Sequence, residues 1–294
     1  MNLTTAKTSF SLKLAVAVCA LATASFSHAR PLDDVVKSGY LDVAVYEDFK
    51  PYSWSENGAP RGIDVDIVSE IARRMGVEPR IVVRVAGENL DTDLRYNIWR
   101  GELSTKKVVD VMMHVPQDKG LHQLQPGEVE PRNDLVHFCC AYQQESFGVI
   151  ADPDVLTVNT YAPFVHSKIG VEVDTVPDFF LSNAFSGQLM QSIVRRPTFN
   201  QTIDLWENGE VSGVMAMRAQ VEWIAKTTKR KAKIASPPTP DIVRRNWPVG
   251  LAVRTDSRDL GYEMDLHLEE MAKSGKLAEI MSAYGVTYTP VPTN

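Results

Sequence analysis

The stretch that decides the fold runs Gly39-Tyr40-Leu41-Asp42-Val43-Ala44-Val45, then Tyr46-Glu47-Asp48-Phe49-Lys50-Pro51-Tyr52-Ser53-Trp54, then Gly62-Ile63-Asp64-Val65-Asp66-Ile67, and closes on Ile71-Ala72-Arg73-Arg74-Met75-Gly76. Residues 41–45 read as a short buried strand, followed by an aromatic loop. Ile63, Ile67, Val68, Ile71, Ala72 and Met75 recur at helical spacing, with Asp64, Asp66, Glu70, Arg73 and Arg74 on the other face. That pattern predicts an amphipathic helix, and Gly76 supplies its C-terminal stop. Asp64 and Asp66 fall in the first turn, where carboxylates complement the helix dipole, so they are read as dipole partners and not as metal ligands.

Working outward, residues 81–85 give a second strand, 90–100 a helix and 110–115 a third strand. The polar segment 117–133, with Pro126 and Pro131, reads as a long loop. Residues 135–140 and 147–150 are extended segments flanking a crossing point. The rhythm then restarts, with strands at 169–173 and 213–217, a helix from Pro177 and another at 219–226. A short extended piece at 232–235, a Pro-rich connector at 236–240, a strand at 249–253 and two short helices finish the chain. Alternating strands and helices favour an α/β fold with parallel strands.

The 294 residues are 44% hydrophobic and 23% charged, which suits about two globular domains and excludes a disordered or disulfide-stapled chain. Lys7 and Lys13 precede an apolar stretch over 14–22, and Ser27-His28-Ala29 offers the small residues a signal peptidase reads. Residues 1–29 are therefore expected to be a signal peptide for export to the periplasm. The apolar run is too short to span a bilayer, which needs about 20 residues. Without the leader the formal charge moves from -6 to -8. An acidic chain of this kind carries no electrostatic footprint for nucleic acid, and a basic partner suits it better.

Cys139 and Cys140 are then the remaining cysteines. A bond between neighbours is strained, because adjacent α-carbons lie about 3.8 Å apart, below the usual disulfide range. Both a vicinal disulfide and two free thiols in a strand stay open. His137 and Cys139 share a strand face but are too few for a structural zinc. No haem, phosphate-loop or nucleophile-elbow motif occurs, so no cofactor or metal is expected.

The opening stretch looks like the signature of the family 3 extracellular solute-binding proteins. So does the end: Pro248-Val249-Gly250-Leu251-Ala252-Val253-Arg254, then Met271-Ala272-Lys273-Ser274-Gly275-Lys276-Leu277, then Tyr284-Gly285-Val286. The resemblance implies a type II periplasmic binding protein fold, two α/β lobes joined by two hinge crossings. Lobe 1 would comprise 30–145 plus 252–294, and lobe 2 would comprise 146–251. A small-molecule ligand would be trapped between the lobes, without catalysis, for delivery to an ABC transporter permease.

Amino-acid-binding members of that family hold the substrate carboxylate with an arginine after the third strand and its ammonium with an aspartate ending a strand of lobe 2. Here the first region reads Asp110-Val111-Met112-Met113-His114-Val115-Pro116-Gln117-Asp118, and Met217 stands where the aspartate would be. Absent polar partners weaken discrimination for such a ligand, so an ordinary free amino acid is not expected. The run from Asp93 to Gly101 with Asp110 to Pro116 is similar to the MoxJ/XoxJ-like branch of methanol utilization. That likeness implies an alternative role as an accessory to a PQQ-dependent quinoprotein dehydrogenase or its cytochrome c. A third reading, a cyclohexadienyl dehydratase, needs a positive group for its dicarboxylate substrate.

Candidate ligand-binding residues follow. Tyr46, Phe49 and Tyr52, in the loop after the first strand, offer aromatic faces for a planar or cationic ligand, or fill the core there. His114, Gln117 and Asp118 follow the third strand, where ligand-facing atoms emerge. Glu172 could face a cation, and Thr175 sits before a helix start that also suits simple capping. Tyr142 matches the hinge tyrosine, or braces the interlobe strands. Met217 and Arg218 end the lobe 2 strand.

Overall fold

The computed structural model describes residues 29–117 and 133–292. Residues 1–28 of the expected leader, Asp118 and most of the expected long loop lie outside the described residues. Among the described residues there are twelve strands: β1 (Tyr40–Tyr46), β2 (Asp48–Phe49), β3 (Ser53–Glu56), β4 (Ala59–Arg61), β5 (Glu78–Arg84), β6 (Val111–Pro116), β7 (Val136–Ala151), β8 (Ile169–Glu172), β9 (Ile193–Arg196), β10 (Gly213–Met217), β11 (Lys233–Ala235) and β12 (Asn246–Arg254). The helices are α1 (Leu32–Ser38), α2 (Ile63–Met75), α3 (Leu90–Leu94), α4 (Val176–Asn183), α5 (Phe199–Glu207), α6 (Arg218–Thr227), α7 (Arg258–Lys273) and α8 (Lys276–Ala283).

One mixed sheet runs in the order β5-β1-β6-β12-β7-β10-β8-β9, with β11 on β7. The two flanks are parallel, β5-β1-β6 and β10-β8-β9. The centre is antiparallel, through β6-β12, β12-β7 and β7-β10. The 16-residue β7 pairs with β12 over Val136 to Ser146 and with β10 over Phe147 to Ala151, so a single strand carries the chain from one flank to the other. The two extended segments expected around a crossing point are thus one continuous strand.

Each flank has its own apolar core. The first gathers Val43, Val45, Ile63, Ile67, Ile71, Val111, Leu251, Met264 and Met281 from α2, α7, α8 and the strands they cover. Beyond Phe147, the second gathers Phe164, Leu181 and Met215 on one sheet face and Phe199, Trp206, Val214 and Ile224 on the other. The C-terminal helices therefore pack on the N-terminal flank. The apolar face of α2 is buried, and Gly76 ends that helix at φ 72, a left-handed geometry that glycine adopts without a side-chain clash.

The helix expected over 90–100 splits. Asn89 accepts from Thr92 N to cap α3, and residues Arg95–Trp99 then form a π-helix. Asn97 causes the widening locally: its side chain donates to Asp93 O and its own carbonyl accepts from Val109 N. The first of the two short terminal helices is in fact 16 residues long. No helix among the described residues is long and apolar enough to cross a membrane.

Candidate functional site

At the centre of the sheet, β12 meets two bulged neighbours. Against β6 its register shifts between Gly250 and Ala252, which pair with Val115 and Met112, so β6 carries one extra residue. Against β7 it shifts between Val249 and Leu251, which pair with Gln143 and Cys139, so β7 carries two. Each bulge contains one residue at positive φ, His114 at 59° and Cys140 at 63°. Such bulges bend a strand and re-aim its side chains. Gly250 sits between them, and a Cβ there would lie 2.6 Å from Cys139 O and 2.9 Å from Cys140 O. Gln117 Nε2 ties the bulge together by donating to Val115 O and Leu251 O, each at 3.0 Å.

The bulges bring His114 and Tyr142 to the first turn of α2. Tyr142 Oη donates to Asp64 Oδ1 at 2.5 Å, and His114 Nδ1 lies 3.5 Å from Asp64 Oδ2. Asp64 is fully buried. It lies in the first turn of α2 as expected, but it faces inward as an acceptor and not out with the polar face, because Tyr142 meets it from β7; Asp66 accepts from Tyr284 Oη at the surface. Beside this group Tyr52 Oη donates to Glu145 Oε1 at 2.7 Å, and burial pushes the Glu145 carboxyl up to about 7.

Over His114 opens a cavity of about 730 Å³ between the two flanks. Tyr46, Glu47, Asp48, Phe49, Asn89, Asp93 and His114 line it from the N-terminal flank, Glu172, Thr198, Phe199 and Met217 from the other, and Trp247 from β12. A side pocket of about 170 Å³ shares Phe49, Glu172, Phe199 and Met217 with it and adds Thr175 and Pro177. Phe49 is the hub of the aromatic wall, with its ring 4.7 Å from the His114 ring and 5.8 Å from the Tyr46 ring.

The cavity is anionic. Glu47, Asp48, Asp93 and Glu172 line it, and no lysine or arginine does so among the described residues. Burial, reinforced by Asp48, pushes the Glu172 carboxyl up to about 7. Burial also raises Asp93, against the pull of hydrogen bonds from Tyr46 and Gly87. The two helix starts nearest the cavity are capped from within, Thr175 accepting from Asp178 N and Thr198 from Gln201 N.

The residues expected from the sequence therefore separate. Tyr46, Phe49, His114, Glu172 and Met217 line the cavity, and Thr175 the side pocket. Tyr52 and Tyr142 are buried beneath it with carboxylate partners, and Gln117 is held by main-chain carbonyls. Arg218 does not line the cavity: its guanidinium donates to Glu222 Oε1 at 2.6 Å and to Ser236 Oγ at 2.9 Å, because α6 places Glu222 one turn on. Cys139 and Cys140 are free, so the vicinal disulfide is not formed; Cys140 Sγ donates instead to Gly261 O. Sequence reasoning missed Asp48, Thr198, Phe199 and Trp247. The cap Thr198 before Phe199, Thr202 and Leu205 was the available signal for α5, while nothing local marks Asp48 or Trp247 as cavity residues. Among the described residues no group of three or more potential metal ligands gathers.

Residues 41–97 match the family described as bacterial extracellular solute-binding proteins, family 3. No curated protein matches the chain. Among solved structures, an ancestral cationic amino acid solute-binding protein aligns at 18% identity and TM-score 0.64, over 86% of this chain and 98% of its own. A mutant of ArgBP from T. maritima aligns at 25% identity and TM-score 0.55, over 86% and 98%. An amino acid ABC transporter substrate-binding protein from Streptococcus pneumoniae, bound to L-arginine, aligns at 18% identity and TM-score 0.56, over 86% and 97%. The N-terminal segment is thus similar to the family 3 solute-binding proteins, and the chain as a whole shares the type II periplasmic binding fold of these structures.

Proposed function

We propose that the chain is a non-catalytic periplasmic receptor that traps a small solute between lobe 1 and lobe 2 and presents it to an ABC transporter permease. The observation that carries this reading is the cavity of about 730 Å³ lined from both flanks across the β7-β12 crossing, a volume in the range of small-ligand sites. Closing such lobes around a solute is a hinge motion that binding drives through its differential affinity for the closed form.

The solute is not an ordinary free amino acid. Its carboxylate would meet Glu47, Asp48, Asp93 and Glu172 with no lysine or arginine among the described lining residues. The same carboxylates disfavour a dicarboxylate, and with it the dehydratase reading. Native mass spectrometry of protein purified from periplasmic extract tests the proposal: a small molecule at one per chain, released on denaturation, is expected. Calorimetry against the twenty standard amino acids should show no micromolar binding. Co-purification of a dehydrogenase with no small molecule would overturn the receptor reading.

A further inference from the structure

The lining of the cavity also bears on the class of solute, given the receptor reading above. Four carboxylates face a space walled by Tyr46, Phe49, Phe199 and Trp247. Glu172 sits at the neck shared by the cavity and its side pocket, and its carboxylate has no hydrogen-bond partner among the described residues. It also feels the like charge of Asp48 across the space between the flanks. A partly buried carboxyl with a like charge at the exposed rim opposite it gains from a cation placed between the two.

A second observation points the same way. His114 is more than nine-tenths buried and lines the cavity. Its Nδ1 lies 3.5 Å from both Asp64 Oδ2 and Tyr142 Oη, and its ring meets the Phe49 ring edge-on at 4.7 Å, so it extends the aromatic wall with a buried acid behind it. Anions together with aromatic faces suit a group that donates hydrogen bonds and carries positive charge. None of these features suits a carboxylate, for which no lysine or arginine lines the cavity among the described residues.

We propose that the ligand is a small organic amine cation without a carboxylate, its charge held by Glu172 and Asp48 and its carbon skeleton laid against Phe49 and Phe199.

The test is calorimetry on the mature protein at pH 7.5 with matched pairs: 1,5-diaminopentane against lysine, agmatine against arginine, choline against betaine, and phenethylamine against phenylalanine. At least one amine should bind at least tenfold tighter than its carboxylate-bearing partner. Glu172→Gln, with unchanged far-UV circular dichroism, should weaken that amine by about tenfold or more, as loss of a charge-assisted contact does. Mass spectrometry of the solute released on denaturation gives an independent arm, in which a cation supports the inference. A released anion or neutral solute, or tighter binding of any carboxylate partner, overturns it while leaving the receptor reading intact. Binding of none of the panel with no solute released overturns both.

Discussion

Tyr142 Oη donates to Asp64 Oδ1 at 2.5 Å, tying the strand that crosses between the flanks to the first turn of the helix that anchors the N-terminal core. The other oxygen, Oδ2, has no hydrogen bond among the described residues and only His114 Nδ1 at 3.5 Å. Tyr142→Phe would leave a fully buried carboxylate without its donor. A loss of about 1–3 kcal/mol in urea unfolding is expected, the cost of leaving a fully buried acceptor without its donor. In a double-mutant cycle with Asp64→Asn the two effects should be strongly non-additive. A Tyr142→Phe variant within about 0.5 kcal/mol of the parent would show that the bond does not brace the crossing.

At the cavity rim the two flanks are joined by Asn200 Nδ2, which donates to Asp48 Oδ1 at 2.5 Å. The bond reaches from the loop after β1 to the first turn of α5, so it exists only when these elements approach. Asn200→Ala is expected to favour a more open arrangement, with a larger radius of gyration in small-angle scattering. Apparent ligand affinity should fall about three- to tenfold, the worth of one partly exposed hydrogen bond. An unchanged scattering profile and affinity would remove this contact from any role in closure.

Gly250 is the residue around which the twin bulges fold. A methyl group at this position would press on two main-chain carbonyls, which are not flexible side-chain ends. Gly250→Ala is therefore expected to cost about 3 kcal/mol or more in urea unfolding, at the upper end for overpacking. Gly58→Ala is the useful comparison, since nothing lies within 4 Å of its added Cβ, although φ of +79 adds some strain. If Gly250→Ala is the milder of the two, the bulges accommodate by moving.

How far the sequence reveals this arrangement depends on the range of the interactions involved. The α2 stripe and its Gly76 stop are local, and they are legible from spacing alone. So are the Thr175 cap and the strand before it, whereas β9 and α5 after it are not anticipated. The bulges at His114 and Cys140 are not, because they are set by β12 more than a hundred residues further along. The same holds for Asp64: its position in the first turn suggests a dipole partner, and only the approach of Tyr142 from β7 makes it a buried acceptor. The anionic character of the cavity escapes the sequence for this reason too, since Asp48, Asp93 and Glu172 are adjacent only after the two flanks come together.

The thiols of Cys139 and Cys140 should differ in reactivity. Burial pushes the Cys140 thiol well up, and its Sγ is engaged with Gly261 O, while Cys139 is half-buried. The thiolate is the reactive form. Titration of the native protein with an aromatic disulfide reagent at pH 8 is expected to modify at most one thiol promptly, and two after unfolding. Cys139→Ser should abolish the prompt phase; its persistence would mean that Cys140 is accessible.

Glu145 supplies the pH dependence. Its carboxyl is buried against Tyr52 and rises from 4.5 to about 7, with desolvation as the main cause and the Tyr52 hydrogen bond opposing it. A carboxyl whose pKa is raised on folding keeps its proton in the folded state while the unfolded chain has already lost it. Stability from this group is therefore fully present below about pH 4.5, declines as the pH rises towards 7, and is lost above it. The difference is on the order of 3 kcal/mol. Glu172 is raised in the same direction but is more exposed, and adds a smaller decline over the same window. Urea unfolding at pH 5 and pH 8 should thus show the parent more stable at the lower pH. Glu145→Gln keeps an acceptor for Tyr52 Oη and removes the ionisation, so it should flatten most of that difference. A variant that retains the full pH slope would place the responsible proton elsewhere.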